Sequence, residues 1–386
     1  MKKDKYIEEI NSITAGEEFK KRTRQMLLQE VKKTKIPNKS RIWTKKFLAA
    51  ISFCLLIGAA ALLTPLIHPK EPAALPSLPV PENDYIEGAH GGAEMLLLHH
   101  IDELDRGNPW YKEADLETLP VFKNKAPRDS AGLPQEGLSR EEMYAKTEKI
   151  AHALDGTPHS REEKDYGVTA KSGDYRLRVE KTGTVEIIPV DPIPIPGLTD
   201  LKNSPEKMDY KHALTKLLEK YEKLAGIEKP GYDIWYTYTI EGEKNWRVSA
   251  YEDSGDLEEQ IINYHFNTIS FSFDHNNELS RVRLFQPDIR EKVGDYPVIC
   301  PREAEQLLLK GKYYTTLSEI PFEEESINKV KLTYPTSGFE EYFMPYYKFY
   351  VKLPSGERQA GPEVAEDLSS FGVYYVPAVE KEHLKL

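Results

Sequence analysis

Cysteine is nearly absent: Cys54 and Cys300 are the two in 386 residues. Two thiols cannot build a disulfide framework, and Cys54 lies inside a hydrophobic run, so no intrachain disulfide is expected. Motif-borne catalysis is missing as well. There is no H-E-x-x-H, no G-x-S-x-G and no P-loop string, which removes the commonest sequence routes to zinc peptidase, α/β-hydrolase and nucleotide chemistry. Long hydrophobic runs are scarce, with one exception. Phe47 to Ile67, "FLAAISFCLLIGAAALLTPLI", holds 21 residues without a charge, enough for a helix to cross the hydrocarbon layer.

That run exceeds the roughly 7–15 residues of a signal-peptide core, and Phe53 precedes Cys54 where a lipoprotein would carry a small residue. A retained signal anchor is the leading expectation. Cleavage near Ala59–Ala61 or Ala73–Ala74, and a buried core helix, are the alternatives. Residues 1–46 hold 14 Lys and Arg against six acids, a net of +8, which leaves −19 for the remainder. The basic run "KKTKIPNKSRIWTKK" abuts the hydrophobic stretch on its N-terminal side. The positive-inside rule therefore predicts a cytoplasmic N-terminus and extracellular C-terminal domains, a single-pass protein of the cell membrane. Acidic exterior domains argue against nucleic acid as a partner. Outward-facing domains without disulfides suit a Gram-positive surface.

The chain divides into a basic cytoplasmic segment (1–46), a transmembrane helix (47–67) and a Pro-rich linker with a loosely ordered region (68–137). Three α+β modules follow, at 138–203, 204–294 and 295–386. The cytoplasmic "AGEEFKKRTRQMLLQEVKK" reads as a short helix for lipid or for a docking partner. "GGAEMLLLHHIDELDRG" also reads as a short helix. Ser139 with Glu142 forms a capping box that opens "LSREEMYAKTEKIAHALDG". Two alternating strands then flank the turn Lys181–Thr184. Ser204 as cap and Pro205 at the first helical position start a second helix, with Leu214, Leu217, Leu218, Tyr221 and Leu224 as its buried stripe. Strands follow at "YDIWYTYTI", "NWRVSAY", "NTISFSFD" and "ELSRVRLFQ", the last pair joined by the turn "DHNNE". Cys300 caps a third helix, with Pro301 and Glu303 behind it, ahead of "INKVKLTY", "YFMPYYKFYVKL" and "FGVYYVPAV". Each round is a capped helix followed by antiparallel strands, an α+β pattern consistent with an internal repeat. The 23 tyrosines suit half-buried strands, or a groove for peptide or glycan.

"YPVICPREAEQLLL" resembles the strand-to-helix junction of PepSY-type domains. "VKLTY", "MPYYKFYVKL" and "YYVPAV" are similar to the closing strands of YycI-type regulators, single-pass Gram-positive proteins whose exterior part inhibits a sensor kinase. The stub and anchor resemble membrane-bound anti-sigma factors, although residues 1–46 lack the histidine–cysteine zinc motif that some of those carry. The resemblance implies a partner such as a sensor kinase, a sigma factor or an envelope protein.

Several residues are of types that could carry chemistry. Ser204–Lys207 and Ser326–Lys329 are S-x-x-K strings, but the K-T-G at Lys181–Gly183 precedes both serines, the reverse of the penicillin-binding order. His99, His100, Asp102, Glu103 and Asp105 are the densest set of metal-ligand types, with His99 and Glu103 one helical turn apart. "FDHNNEL" lacks the Gly and distal acid of a calcium loop. Cys300 at a helix N-terminus could carry a lowered pKa, but a nucleophile needs an orienting base, and His265 and His275 fall in predicted strands. No catalytic, cofactor-binding or metal residue is assigned. The expected function is a non-enzymatic, membrane-anchored regulatory or sensory protein whose outer domains bind a protein partner or an envelope ligand. An inhibitor or binding module for a secreted protease is the alternative, and a cell-envelope hydrolase follows it.

Overall fold

Strict alternation of apolar and polar residues recurs between residues 167 and 285. In the computed structural model these runs become one continuous antiparallel sheet. The structure describes residues 75–80, 95–129, 131–195, 210–239, 242, 244–315, 317, 321–354 and 367–385. Residues 74–386 make one compact unit. Strand β1 is Leu78–Pro79, β2 Met95–Leu98 and β3 Thr118–Lys123. Helix α1 (Arg140–Ala153) precedes β4 (His159–Lys164), β5 (Gly167–Ser172), β6 (Tyr175–Glu180) and β7 (Val185–Pro189). Helix α2 (Tyr210–Ala225) precedes β8 (Pro230–Tyr238) and β9 (Lys244–Glu252). Helix α3 (Leu257–Phe266) leads into β10 (Thr268–Phe273), β11 (Leu279–Phe285) and β12 (Lys292–Pro297). Helix α4 (Pro301–Leu309) is followed by β13 (Ile327–Thr333), β14 (Tyr342–Phe343), β15 (Tyr346–Lys352), β16 (Ser369–Pro377) and β17 (Leu384–Lys385).

Local signals explain most of these elements. The Ser139 side chain accepts from the Glu142 amide, and Glu142 reaches back to the Ser139 amide, so α1 starts on a reciprocal capping box. Asp256 and Glu259 do the same for α3. The large sheet has the order β4-β5-β6-β7-β11-β10-β9-β8. Its apolar face carries Val168, Leu177, Val179, Val185, Ile187, Ala250, Ile269, Phe271, Val282 and Leu284, and α1 and α2 cover it through Met143, Ile150, Leu217, Leu218 and Tyr221. Because successive side chains point to opposite faces, the intervening residues Asp233, Trp235, Arg247, Ser249, Ser270, Arg281 and Arg283 form a polar face. Helix α3 returns on that side, with Ile261 and Phe266 in a second core alongside Trp110, Leu332, Tyr347 and Phe349.

A four-stranded sheet, β13-β15-β16-β2, carries the C-terminal part. Its central strands are buried on both faces, with Phe349 and Tyr374 in the second core and Tyr350, Val373 and Tyr375 in a third. This explains why "FGVYYVPAV" is an almost unbroken apolar run. A three-stranded sheet, β12-β3-β14, and the parallel pair β1-β17 complete the described strands.

Two expectations are corrected here. The separate helix-plus-sheet modules do not exist. Strands β7 and β11, from the first two expected modules, pair antiparallel through Val185↔Leu284 and Ile187↔Val282, so one hydrogen-bonded sheet and one core span both. The strands of the third draw in β2 and β3 from the stretch read as loosely ordered, through Leu98↔Ser369 and Leu119↔Tyr296. Unpaired strand edges seek partners, and a hydrophobic pattern does not say which edge will be chosen. The fold is mostly β, with four α-helices among the described residues.

The single-pass, cell-membrane localisation with its transmembrane signal anchor is the second correction. Among the described residues no helix is long and apolar enough to cross a membrane. The four helices run 9 to 16 residues and carry charged faces, against about 20 apolar residues for a span. The stretch 47–67 that carried the expectation, the basic segment 1–46, and the cap at Ser204 and Pro205 lie outside the described residues.

Candidate functional site

The polar face of the large sheet is not flush with what covers it. A cleft of about 340 Å³ remains between them, within the size range of small-ligand sites. Asp233 and Trp235 of β8, Arg247, Ser249 and Tyr251 of β9, Thr268 and Ser270 of β10, and Arg283 and Phe285 of β11 form its floor. Leu104, Asp105 and Asn108 form one wall, and Tyr264, His265, Tyr334, Lys348 and Tyr350 close the far side.

Residues 101–110 act as a strap that holds the wall in place. The Gly107 amide donates to Asp233 Oδ1 at 2.8 Å, and the Tyr251 hydroxyl donates to the Gly107 carbonyl at 2.8 Å. On the other side Lys329 Nζ donates to the Ile101 and Leu104 carbonyls, and Lys331 Nζ to that of Trp110. Tyr350 donates its hydroxyl to Asp105, and Tyr264 donates to Asp233 Oδ2 at 2.6 Å. Burial lifts the Asp233 carboxyl above its ordinary range, a push opposed by the Tyr264 and Gly107 hydrogen bonds. Burial likewise lowers Lys329 and Lys331, and Asp105 pulls both the other way.

The arginines of the polar face are placed differently. Arg178 and Arg281 both meet Glu186, at 2.9 and 3.5 Å. Arg247 instead sits over the Trp235 ring at 4.7 Å, and Arg283 over Phe285 at 5.2 Å. Neither makes a hydrogen bond or ion pair among the described residues. Burial lowers the pKa of both, and for Arg247 the nearby Arg283 and Arg281 add to it; a guanidinium keeps its charge regardless.

His265 supplies a third open group. Its Nδ1 lies 2.8 Å from the Ile261 carbonyl, one turn back along α3. A carbonyl only accepts, so Nδ1 carries the proton and Nε2 presents a bare lone pair. That Nε2 is shielded from solvent and has no partner among the described residues. Burial above all drives the pKa of the ring down to about 4.

The residues that the sequence marks as candidates for chemistry fall elsewhere or become structural. The stretch containing His99 and Glu103 is not a helix, but β2 followed by a 3₁₀ turn at Ile101–Glu103. Glu103 accepts the His99 amide and the Tyr238 hydroxyl, and His99 Nδ1 lies 3.4 Å from an Asp367 carboxylate oxygen. Among the described residues no group of three or more His, Cys, Asp or Glu side chains is placed to hold a metal. Lys329 of the S-x-x-K string is committed to the strap, and Lys181–Gly183 is the β6–β7 turn. Cys300 is the exposed N-cap of α4 and makes no side-chain cap bond. His265 stands on a helix rather than a strand, and His275 is exposed in the β10–β11 turn. The cleft residues are hard to single out in the sequence because they alternate with core positions and read as a solvated face. One signal is available there: "DLEEQIINYHF" opens with the Asp256–Glu259 capping box that marks α3.

No protein-family model matches the chain, and no curated protein matches it. Among solved structures the chain is similar to an uncharacterized protein from Eubacterium rectale, at 9% identity over 70% of this chain and 86% of that one, with a TM-score of 0.36. At that score the likeness carries no argument about fold or function.

Proposed function

We propose that the protein works by recognition rather than catalysis, receiving a small polar ligand in the cleft and passing its occupancy to a protein partner. One observation carries this reading. The cleft walls are braced by hydrogen bonds of their own, while Arg247, Arg283 and His265 line the space. The two guanidiniums and the shielded His265 Nε2 have no hydrogen-bond partner among the described residues. A preformed shape with unspent donors and one unspent acceptor is what a binding site needs. Acyl transfer would need a hydroxyl or thiol hydrogen-bonded to its base, and His265 Nε2 meets neither among the described residues. The regulatory side rests on the likeness of "VKLTY" and "MPYYKFYVKL" to YycI-type inhibitors, and a sensor kinase, a sigma factor or an envelope protein is the class of partner it suggests.

Ligand-induced thermal shifts provide the test, using a chemically mixed small-molecule set on the full chain and on Ser270→Trp, which places an indole in the cleft. Stabilisation of the wild type that disappears in a folded Ser270→Trp supports the reading. Ligands that stabilise both proteins equally, or none at all, would overturn it.

A further inference from the structure

We infer that the cleft takes a small organic oxyanion, a carboxylate or phosphate ester with a hydroxyl or N–H donor nearby, whose anionic group sits on Arg247 and Arg283 and whose donor meets His265 Nε2. This deepens the reading of the cleft as a binding site and rests on it.

The charge distribution over the polar face points to an anion. Arg247 lies level with Ser272 and Arg281 across β9, β10 and β11, and Arg283 lies level with Ser270 and Ser249. Five arginines therefore share one face, counting Arg176 and Arg178 on β6, and Glu186 matches two of them, Arg178 and Arg281. The two carboxylates at the cleft, Asp105 and Asp233, are taken up by Tyr350, Tyr264 and Gly107. Arg247, exposed, and Arg283, half-buried with Glu180 and Glu186 in its electrostatic neighbourhood, make no ion pair among the described residues. Lys348 adds a third cation from the opposite side, over the Tyr350 ring at 5.0 Å. Guanidinium donors without a partner are open to an incoming anion.

Geometry points the same way. Lying over the Trp235 and Phe285 rings holds each guanidinium beside the cleft through the ring rather than through an ion pair. Two guanidiniums held this way offer forked donors that match carboxylate or phosphate oxygens. The Ser249 and Ser270 hydroxyls line the floor beside them. His265 adds the second requirement, because a shielded imidazole lone pair accepts and cannot donate while the ring is neutral. An anion with no donor would leave it bare, so a hydroxylated or N–H-bearing anion fits better than a simple one.

Calorimetric titration of the full chain tests this with glucuronate, citrate, glucose 6-phosphate and glycerol 3-phosphate. Acetate and inorganic phosphate serve as anions without a carbon-borne donor, glucose and glycerol as neutral counterparts, and glucosamine as a cation. Binding is expected from the first group, at least tenfold tighter than from the neutral counterparts. Arg247→Met and Arg283→Met should each weaken it tenfold or more, and Arg247→Lys should weaken it less. His265→Phe should weaken glucuronate more than acetate. Thermal melts establish that each variant is folded. If carboxylates alone or phosphate esters alone bind, the source of the anion is decided and the inference stands. If neutral or cationic compounds bind best, with binding lost in Ser270→Trp but kept in both methionine variants, the anion inference fails and the binding site remains. If nothing in either set depends on the cleft, both fail.

Discussion

Tyr264 and Asp233 join helix to sheet across the cleft: the hydroxyl of Tyr264 on α3 donates to Asp233 Oδ2 on β8 at 2.6 Å. The other carboxylate oxygen accepts from Gly107, so one buried aspartate ties helix, edge strand and strap together. Tyr264→Phe leaves that carboxylate oxygen without its donor. Hydrogen bonds to buried charged groups contribute roughly 1.5–3 kcal/mol. A loss of about 2 kcal/mol in urea unfolding is expected, against a change within about 0.5 kcal/mol for an exposed control such as Lys385→Ala.

Stability should fall as the pH drops from about 6.5 to 4, because of His265. The folded ring titrates at about 4, held down chiefly by burial and by Lys348, while Asp105 and the Ile261 carbonyl pull the other way. In the unfolded chain an ordinary histidine titrates near 6.5. Between those values the unfolded state binds the extra proton, so stability present above pH 6.5 is lost on acidification toward pH 4. Roughly 3 kcal/mol of the pH dependence belongs to this residue. Urea melts at pH 7 and pH 4.5 should show that component vanish in His265→Phe.

Gly107→Ala should damage the cleft wall. A Cβ built there falls 2.3 Å from the Tyr232 carbonyl oxygen and 2.7 Å from the Asp233 Cα, both backbone atoms of β8 that cannot swing aside. Overpacking of this kind costs about 1–3 kcal/mol. The strap must move, so the substitution should lower the melting temperature and weaken ligand binding together. Gly173→Ala, whose Cβ meets nothing within 4 Å but whose φ is +53°, should cost stability alone.

Cys300→Ser should leave ligand binding unchanged. The thiol residue caps α4 through its backbone carbonyl, which accepts from the Glu303 and Ala304 amides at 3.0 and 3.1 Å. A serine hydroxyl can add the side-chain cap that Cys300 does not make, a gain of up to about 1 kcal/mol. A melt unchanged or slightly raised, with titration curves that overlay the wild type, is the expected result. Lost binding would return the thiol to consideration as a functional group.

Much of the local structure is legible in the residues. Ser139 with Glu142, Cys300 with Pro301, the Lys181–Thr184 turn and the "DHNNE" hairpin are each decided within a few residues, by capping and turn chemistry that needs no tertiary partner. Ile269 and Phe271 point to one face of a strand, and both are fully buried. The same alternation conceals the site. Arg247, Ser249, Ser270 and Arg283 occupy the outward phase of their strands, where polarity normally means solvent.

What the sequence determined by itself is therefore the capped helices α1 and α4, the hairpin turns and the apolar side of the strands they join, because those depend on neighbours within one turn or one hairpin. It did not determine α3, or that Met95–Leu98 is a strand rather than part of a helix. Tertiary structure alone decided that β7 would pair with β11, that Met95–Leu98 would join β16, and that the strap would lie against β8. It also decided that Asp105, Arg247, His265, Arg283 and Lys348 would surround one space. Edge pairing and layer closure depend on surfaces far apart in the chain, and a polar face becomes a cleft only when another layer lands on it.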